Sequence, residues 1–222
     1  MCIRDRYYDS ETAGEPDEAF RLWNVSSRPA QLAGYGVSDG RRTVTFPVMT
    51  LAPGTSLWCT GSALAFAGSF GFAPGCEYGV DSDPVVPNLS GSPLRFSNSG
   101  GQVRLLNPAG VLVDTIVYED GDAGQIGWQG PAVEPYSPSS SFPAEGQILY
   151  RRLDRINGQP LPDTDSRTDW AQEPADPIAG RHVQYPGWDL ERFDHPPMVS
   201  TSGMLTVACL LYTSPSPRDR TR

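Results

Sequence analysis

The sequence contains no lysine, only two histidines and only four cysteines among its 222 residues. No apolar run approaches the ~20 residues that a membrane-spanning helix needs. Because the chain has no lysine, chemistry that depends on a lysine side chain is excluded within it. His182 and His195 lie in a proline-rich region, and no motif pairs either of them with a cysteine or serine nucleophile. We expect no catalytic residues, no cofactor and no enzymatic activity in the chain itself.

The two ends of the chain are related to each other at the DNA level. Residues 1–5 can be encoded by ATG TGT ATA AGA GAC, followed by AG. The reverse complement of that string, read from its second base, encodes residues 209–213 and the first base of a serine codon. We therefore interpret residues 1–6 and 209–222 as translated sequencing adapters on a metagenomic fragment, and we expect neither segment to contribute to the core.

Acidic residues outnumber basic ones, and removing the two ends increases the excess. The whole chain has 17 basic and 26 acidic residues, and without the five Arg and two Asp of the ends the counts are 12 and 24, a net charge of −12. A nucleic-acid backbone requires a basic surface, so this charge argues against DNA or RNA as a partner of this fragment. An anionic membrane surface is disfavoured for the same reason.

Two of the four cysteines, Cys2 and Cys209, belong to the ends. Cys59 and Cys76 remain as an even pair in a sequence rich in Gly, Pro and Ser. This pattern favours one disulfide and an extracellular or cell-surface location. Two buried free thiols in a cytosolic domain are the alternative.

Glycine and proline, at 23 and 22 residues, separate short apolar runs, which is typical of proteins made of many short strands. Strand composition or alternation occurs in residues 18–25, 42–47, 56–60, 101–120 and 147–153. The clearest segment is 101–120, where two β-rich runs flank Asn107, Pro108, Ala109 and Gly110, a type I hairpin turn. About seven strands without intervening helices predict an antiparallel β-sandwich with one core.

The chain changes character after residue 153, where it becomes polar, proline-rich and aperiodic. We expect residues up to 170 to pack on the sandwich and residues 171–203 to form a proline-rich linker. Residues 204–208, "MLTVA", return to strand composition and are expected to begin a following domain.

Four segments together resemble a known family. They are "EPDEAFRLWNVSSRPAQLAGYGVSDG", "LAPGTSLWC", the hairpin "FSNSGGQVRLLNPAGVLVDTIVY" and the closing "DTDSRTDW". In this order, over residues 7–170, they resemble the bacterial form of the lamin tail domain. The resemblance implies an immunoglobulin-like β-sandwich with an irregular C-terminal tail.

The resemblance also implies a function. Bacterial lamin-tail-like domains are accessory modules of exported nucleases, phosphodiesterases and surface proteins. We therefore expect a non-catalytic binding or spacing module of an exported bacterial protein, with an unknown protein or carbohydrate ligand. In the alternative, the fragment is the N-terminal accessory domain of a phospholipase D-like phosphodiesterase or nuclease whose catalytic domain follows the linker "YPGWDLERF" and has "MLTVA" as its first strand.

Three aspartates lie close together in the sequence and are weak calcium candidates. Asp163, Asp165 and Asp169 could supply the oxygen ligands that Ca²⁺ prefers. Arg167 occupies one expected ligand position, and no glycine allows the sharp turn of a calcium loop. Turns and a cap before Trp170 are the stronger interpretation, so we expect no metal. The acidic turn at residues 118–124 is a similar candidate.

Two other features have a functional and a structural interpretation. "AGSFG" at residues 67–71 approaches the nucleophile-elbow motif but has Ala67 in place of its first glycine, and we expect a glycine-rich loop there. The five tryptophans could stack on sugars, but in a domain of this size they more often anchor the core and the tail.

Overall fold

The computed structural model describes residues 1–10, 12–135, 145–154, 156 and 159–171. Within them the chain is almost entirely strands and turns. The elements in chain order are β1 Cys2–Tyr7, β2 Ala19–Trp23, β3 Ala30–Gln31, β4 Gly36–Ser38, β5 Thr43–Thr45, β6 Thr50–Leu51, β7 Ser56–Thr60, α1 Ala63–Phe70, β8 Cys76–Glu77, β9 Ser90–Gly91, β10 Gly100–Leu106, β11 Leu112–Glu119, β12 Ile148–Tyr150 and a 3₁₀ turn Arg167–Asp169.

The strands form two five-stranded sheets and one two-stranded ribbon, β3–β6. The first sheet has the order β12-β1-β2-β7-β8 and the second has the order β11-β10-β4-β5-β9. All pairings are antiparallel except β7 with β8. Apolar side chains from both sheets, including Phe20, Leu22, Val103, Leu105 and Ile116, share one buried cluster. The predicted all-β sandwich is confirmed.

The predicted hairpin is present as β10 and β11. The register pairs Val103 with Ile116, and the Asn107 side chain accepts hydrogen bonds from the backbone N–H groups of Ala109 and Val111, both at 2.9 Å. Gly110 has a φ of 76°, in the left-handed region where glycine is favoured. The turn residues therefore determine both the tight connection and the strand register.

The expectation that residues 1–6 lie outside the core is wrong. Strand β1 pairs with β2 on one side and β12 on the other, and the Ile3 side chain is fully buried against residues of both sheets. Backbone pairing needs only extended residues with free N–H groups, so a segment of any origin can complete a sheet whose neighbouring strands are already present. The sandwich thus begins at residue 2 rather than residue 7.

The expected glycine-rich loop at residues 67–71 is also wrong, because this segment is the end of helix α1. The Ser62 hydroxyl caps the helix by accepting from the backbone N–H of Ala65 at 3.4 Å. Gly71 ends it with a φ of 78°. Alanine and leucine favour a helix, and Phe66 and Phe70 bury its inner face.

The tail packs on the sandwich as the sequence predicts. Ser166 and Asp169 form a reciprocal capping box around the 3₁₀ turn, and the Trp170 side chain is 1% exposed in the main core. Ala171 still donates a backbone hydrogen bond to Tyr150. The predicted linker beyond it, strand 204–208 and end segment 209–222 lie outside the described residues. No helix within the described part is long and apolar enough to cross a membrane.

Candidate polar cleft at one end of the sandwich

An open cleft of about 580 Å³ lies at one end of the second sheet. The β4–β5 turn, the segment after β9, the start of β10 and the turn that follows β11 all converge there. Its lining is polar: Asp39, Gly40, Arg41, Arg42, Arg95, Phe96, Ser97, Gly100, Gly101, Gln102, Tyr118, Asp120, Gly121, Asp122 and Gln125. Loops at the end of a rigid sandwich are where such folds place their binding residues.

Asp39 organises one wall of the cleft. One carboxylate oxygen accepts from the backbone N–H groups of Arg41 and Arg42, at 2.8 and 2.6 Å. The other accepts from the backbone N–H of Arg95 at 3.0 Å, across 56 positions of sequence. One carboxylate therefore joins the β4–β5 turn to the segment after β9, and three arginines are held at the same rim.

The three arginines differ in how their charges are used. The Arg42 guanidinium lies 3.6 Å from the Asp39 carboxylate. Arg41 and Arg95 are exposed, and neither side chain forms an ion pair with any residue that the structure describes. Two positive groups therefore remain available to a ligand.

The facing wall carries Asp120 and Asp122. The Asp122 carboxylate accepts from the backbone N–H of Gly124 and from the Gln125 amide, both at 2.9 Å, so it caps its own turn. Asp120 is exposed. The cleft therefore has positive side chains on one wall and negative side chains on the other.

The floor of the cleft is the end of the β10–β11 hairpin. The Tyr118 hydroxyl donates to the Ser97 carbonyl at 3.0 Å and accepts from the Ser97 N–H at 3.2 Å. A Cβ on Gly101 would lie 2.8 Å from that hydroxyl, closer than van der Waals contact allows. Glycine at this position lets the Tyr118 hydroxyl end of the ring pack directly against the backbone of β10.

A buried positive charge lies behind this floor. The Arg6 guanidinium is 3.5 Å from the centre of the Tyr118 ring and 4.1 Å from that of Phe96. Arg6 is fully buried, and none of its three guanidinium nitrogens has a hydrogen-bond partner among the residues that the structure describes. Cation–π contact compensates only part of the cost of burying such a charge.

Glu18 lies in the same buried region. Its carboxylate accepts from the backbone N–H of Phe96 at 3.4 Å, and the other oxygen has no partner. Burial is the main reason that the pKa of Glu18 rises to about 8, with the charges of Glu15 and Asp17 adding to the rise while the Arg6 charge opposes it. Arg6 and Glu18 are therefore two buried charged groups beneath the cleft that are each incompletely satisfied by hydrogen bonds among the described residues.

The three calcium candidates are brought near each other but serve different partners. Asp163 and Asp165 lie with Asp114 so that one carboxylate oxygen of each is within 4.8 Å of the others. Asp169 instead accepts from the backbone N–H and the hydroxyl of Thr164, at 2.8 and 2.7 Å. The predicted turn and cap describe this segment better than a calcium loop does.

Arg151 is the cation around which these carboxylates gather. Its guanidinium lies 2.8 Å from Asp163, 3.8 Å from Asp169 and 3.9 Å from Asp114. Burial alone would raise the pKa of Asp163, but the Arg151 charge and hydrogen bond outweigh it and lower that pKa. Burial and the Asp163 charge raise the pKa of Asp114 to about 7. The positive charge within this cluster of carboxylates is thus supplied by the Arg151 side chain.

The sequence reasoning did not identify Arg151 or Asp114. Alternation in "QILYRRL" places Arg151 on the same face as the buried Leu149 and Leu153, and this pattern could have marked it as a buried charge. Asp114 alternates in the same way with the buried Ile116 and Tyr118 of β11, although its partners Ile3 and Arg151 come from distant strands.

Cys59 and Cys76 face each other on the parallel pair β7–β8, with their Cα atoms 4.5 Å apart, and are joined as a disulfide. Both are fully buried in the main core. The bridge closes the segment that contains helix α1 and so attaches this helix to the first sheet.

The tryptophans within the described residues are core anchors rather than a sugar-binding surface. Trp23, Trp58, Trp128 and Trp170 are each at most 8% exposed. Trp188 lies outside the described residues, as do His182 and His195. Ser69 of the "AGSFG" segment lies on α1 and donates to Asp17, in a helix rather than a strand-to-helix elbow.

These observations define the class of protein as an all-β sandwich in which loops at one end form a polar cleft. No protein-family model matches the chain, and no curated protein matches it. A solved structure with a similar fold is a DUF4876 family protein from Bacteroides thetaiotaomicron VPI-5482, with a TM-score of 0.58 and 13% sequence identity. The similarity covers 85% of this chain and 75% of that chain. At this identity the likeness shows the β-rich fold and nothing more specific.

Proposed function

We propose that the chain is a non-catalytic, lamin-tail-like binding module of an exported bacterial protein, and that the sandwich-end cleft is its binding site. The observation that carries this proposal is the pair Arg41 and Arg95, exposed at the rim of a preformed cleft and fixed through their backbones by Asp39. Oriented charged groups that the fold leaves without a partner are typical of a site built for a ligand.

Three further observations support the proposal. The lamin-tail likeness covers the segments from which the cleft is built. The cleft is formed by loops that a rigid double sheet holds in place, which reduces the entropy lost on binding. The buried pair Cys59 and Cys76 suits an exported protein.

The proposal is tested with the full chain by two measurements. Incubation with bis-p-nitrophenyl phosphate and with DNA should give no turnover above buffer. Binding to immobilised peptide and glycan arrays should be saturable and should be lost in Ser97→Trp. This variant places a ring in the cleft while both bonds from Tyr118 to the Ser97 backbone remain.

Ser27→Trp is the matched control, because Ser27 is exposed and lies outside the cleft lining. It should bind as the unmodified chain does. Turnover that copurifies with the chain through every step, or binding that Ser97→Trp leaves unchanged, would contradict the proposal.

The phospholipase D-like context is a second candidate for the intact gene product. Phospholipase D-like chemistry uses HxKxxxxD motifs, in which His attacks phosphorus and Lys holds the phosphate oxygens. The chain has no lysine, so it does not itself contain such a motif, and this candidate requires one elsewhere in the intact gene product. Recovery of the downstream coding sequence tests this context, and a continuation without HxKxxxxD contradicts it.

A further inference from the structure

We propose that the cleft binds the terminal carboxylate of a peptide chain, with Arg41 and Arg95 as the residues that hold it. This inference rests on the proposed binding function and names the ligand class of the same site. It goes beyond a general binding role because the arrangement of charge in the cleft restricts what can occupy it.

The backbones of the two arginines are held in a fixed arrangement. Asp39 binds the backbone N–H groups of Arg41 and Arg95, from segments 56 positions apart. Asp39 is itself neutralised by Arg42, at 3.6 Å, so its charge is already compensated. The planar guanidinium groups of Arg41 and Arg95 are left with free donors, and such groups match a carboxylate in a two-bond arrangement.

The overall charge of the protein limits the size of an anionic ligand. The chain has a net charge of −9, so a long polyanion would be repelled by the surface beyond the cleft. A ligand with one carboxylate meets the two arginines without that repulsion. The charge pattern therefore favours a single anionic group over a polymer of them.

The remaining walls favour a peptide over an acidic sugar. Phe96 and Tyr118 are the aromatic residues of the cleft, and they are only 6% and 1% exposed, so neither offers a ring face for sugar stacking. Asp120 on the facing wall is exposed and can accept hydrogen bonds from the N–H groups of a peptide. Gly101 and Gly121 also line the cleft, and at both positions a Cβ would collide with neighbouring atoms of the protein.

The test uses N-acetyl-trialanine, its C-terminal amide and D-galacturonate as probes. Each is titrated into the full chain, with the arginine Nε–H signals of Arg41 and Arg95 followed by NMR. The free-acid peptide should shift both signals saturably, and the amide should bind at least about tenfold more weakly, because charge-assisted hydrogen bonds are lost. Arg41→Gln and Arg95→Gln should each weaken binding of the free acid by about tenfold.

Arg28→Gln is the matched control, since Arg28 is exposed and lies outside the cleft lining, and it should bind the free acid unchanged. Equal affinity for acid and amide, or no saturable shift with the acid, overturns the carboxylate assignment. If galacturonate binds in a way that requires both arginines and the free-acid peptide does not bind, the peptide assignment is overturned. The arrays can also separate the two proposals. If Ser97→Trp blocks binding of an array ligand while Arg41→Gln and Arg95→Gln do not affect it, only this inference is contradicted and the proposed binding function stands.

Discussion

The carboxylate of Asp39 accepts a hydrogen bond from the backbone N–H of Arg95, 3.0 Å away and 56 positions later in the chain. Neighbouring bonds to the N–H groups of Arg41 and Arg42 make the same side chain the junction between two loops. The arrangement of the cleft therefore depends on one buried acceptor with three donors.

We expect Asp39→Ala to lower the free energy of unfolding by about 1–3 kcal/mol, because three backbone donors lose their acceptor. It should also weaken any ligand that depends on Arg41 and Arg95. Urea unfolding of the full chain measures the change. Asp120→Ala, at an exposed position of the same cleft, should stay within about 0.5 kcal/mol of the unmodified chain. Equal stability of the two variants would show that the junction is not important.

The two buried arginines should respond in opposite directions to the same substitution. The Arg6 guanidinium has no hydrogen-bond partner in the described part of the chain, so Arg6→Met should raise the free energy of unfolding by about 1–3 kcal/mol. Arg151 pairs with Asp163 at 2.8 Å and lies near Asp114 and Asp169, so Arg151→Met should lower it by about 3–5 kcal/mol by leaving carboxylates uncompensated. Chemical denaturation compares both, and a loss of stability in Arg6→Met would refute the first half.

Stability should fall as pH rises from about 5 to about 8. The pKa of Glu18 is raised in the folded chain from 4.5 to about 8, with burial as the main cause, so the folded state holds a proton that the unfolded state has released. Its contribution is complete below the unfolded pKa and is lost as pH rises through the folded pKa. The pKa of Asp114, raised to about 7 mainly by burial, acts in the same direction.

Glu18→Gln should flatten this pH dependence, because the neutral side chain no longer titrates. Urea midpoints at several pH values between 5 and 8 measure the slope. Glu134→Gln, at an exposed carboxylate, should keep the original slope. A Glu18→Gln chain with an undiminished slope would assign the pH dependence to other groups.

Cys59 and Cys76 should be bridged in the folded protein. Intact mass with and without reductant, after alkylation, distinguishes the bridge from two free thiols. The double change of both cysteines to alanine should cost about 3 kcal/mol on the chain-entropy account of a loop of this length. Two alkylatable thiols at these positions in the unreduced protein would end this prediction.

Several elements could be predicted because their cause is local. Alternation of Phe20 and Leu22 with Arg21 indicates β2, and Asn107 and Gly110 indicate the hairpin turn. Helix α1 was missed because the glycine at residue 68 and the motif-like "AGSFG" outweighed its alanines, although Ser62 and Gly71 are good caps. Residues 1–6 of strand β1 were placed outside the core because they were interpreted as an adapter, and composition cannot show that a segment pairs between β2 and β12.

The candidate site was less predictable than the fold. The spacing of Asp163, Asp165 and Asp169 indicates a cluster of negative charge that is present in the fold. It does not indicate Arg151, which neutralises that charge. No sequence pattern connects Arg41 with Arg95.

The sequence by itself determined the all-β class, the tight hairpin and the burial of Trp170, because alternation, turn residues and capping residues act over a few positions. Only the tertiary structure decided which loops meet at one end of the sandwich, that Asp39 joins them, and that Arg6 is buried with no hydrogen-bond partner among the described residues while Arg151 is surrounded by carboxylates. Each of these depends on how the strands are ordered in two sheets, and that order arises from contacts between residues far apart in the chain.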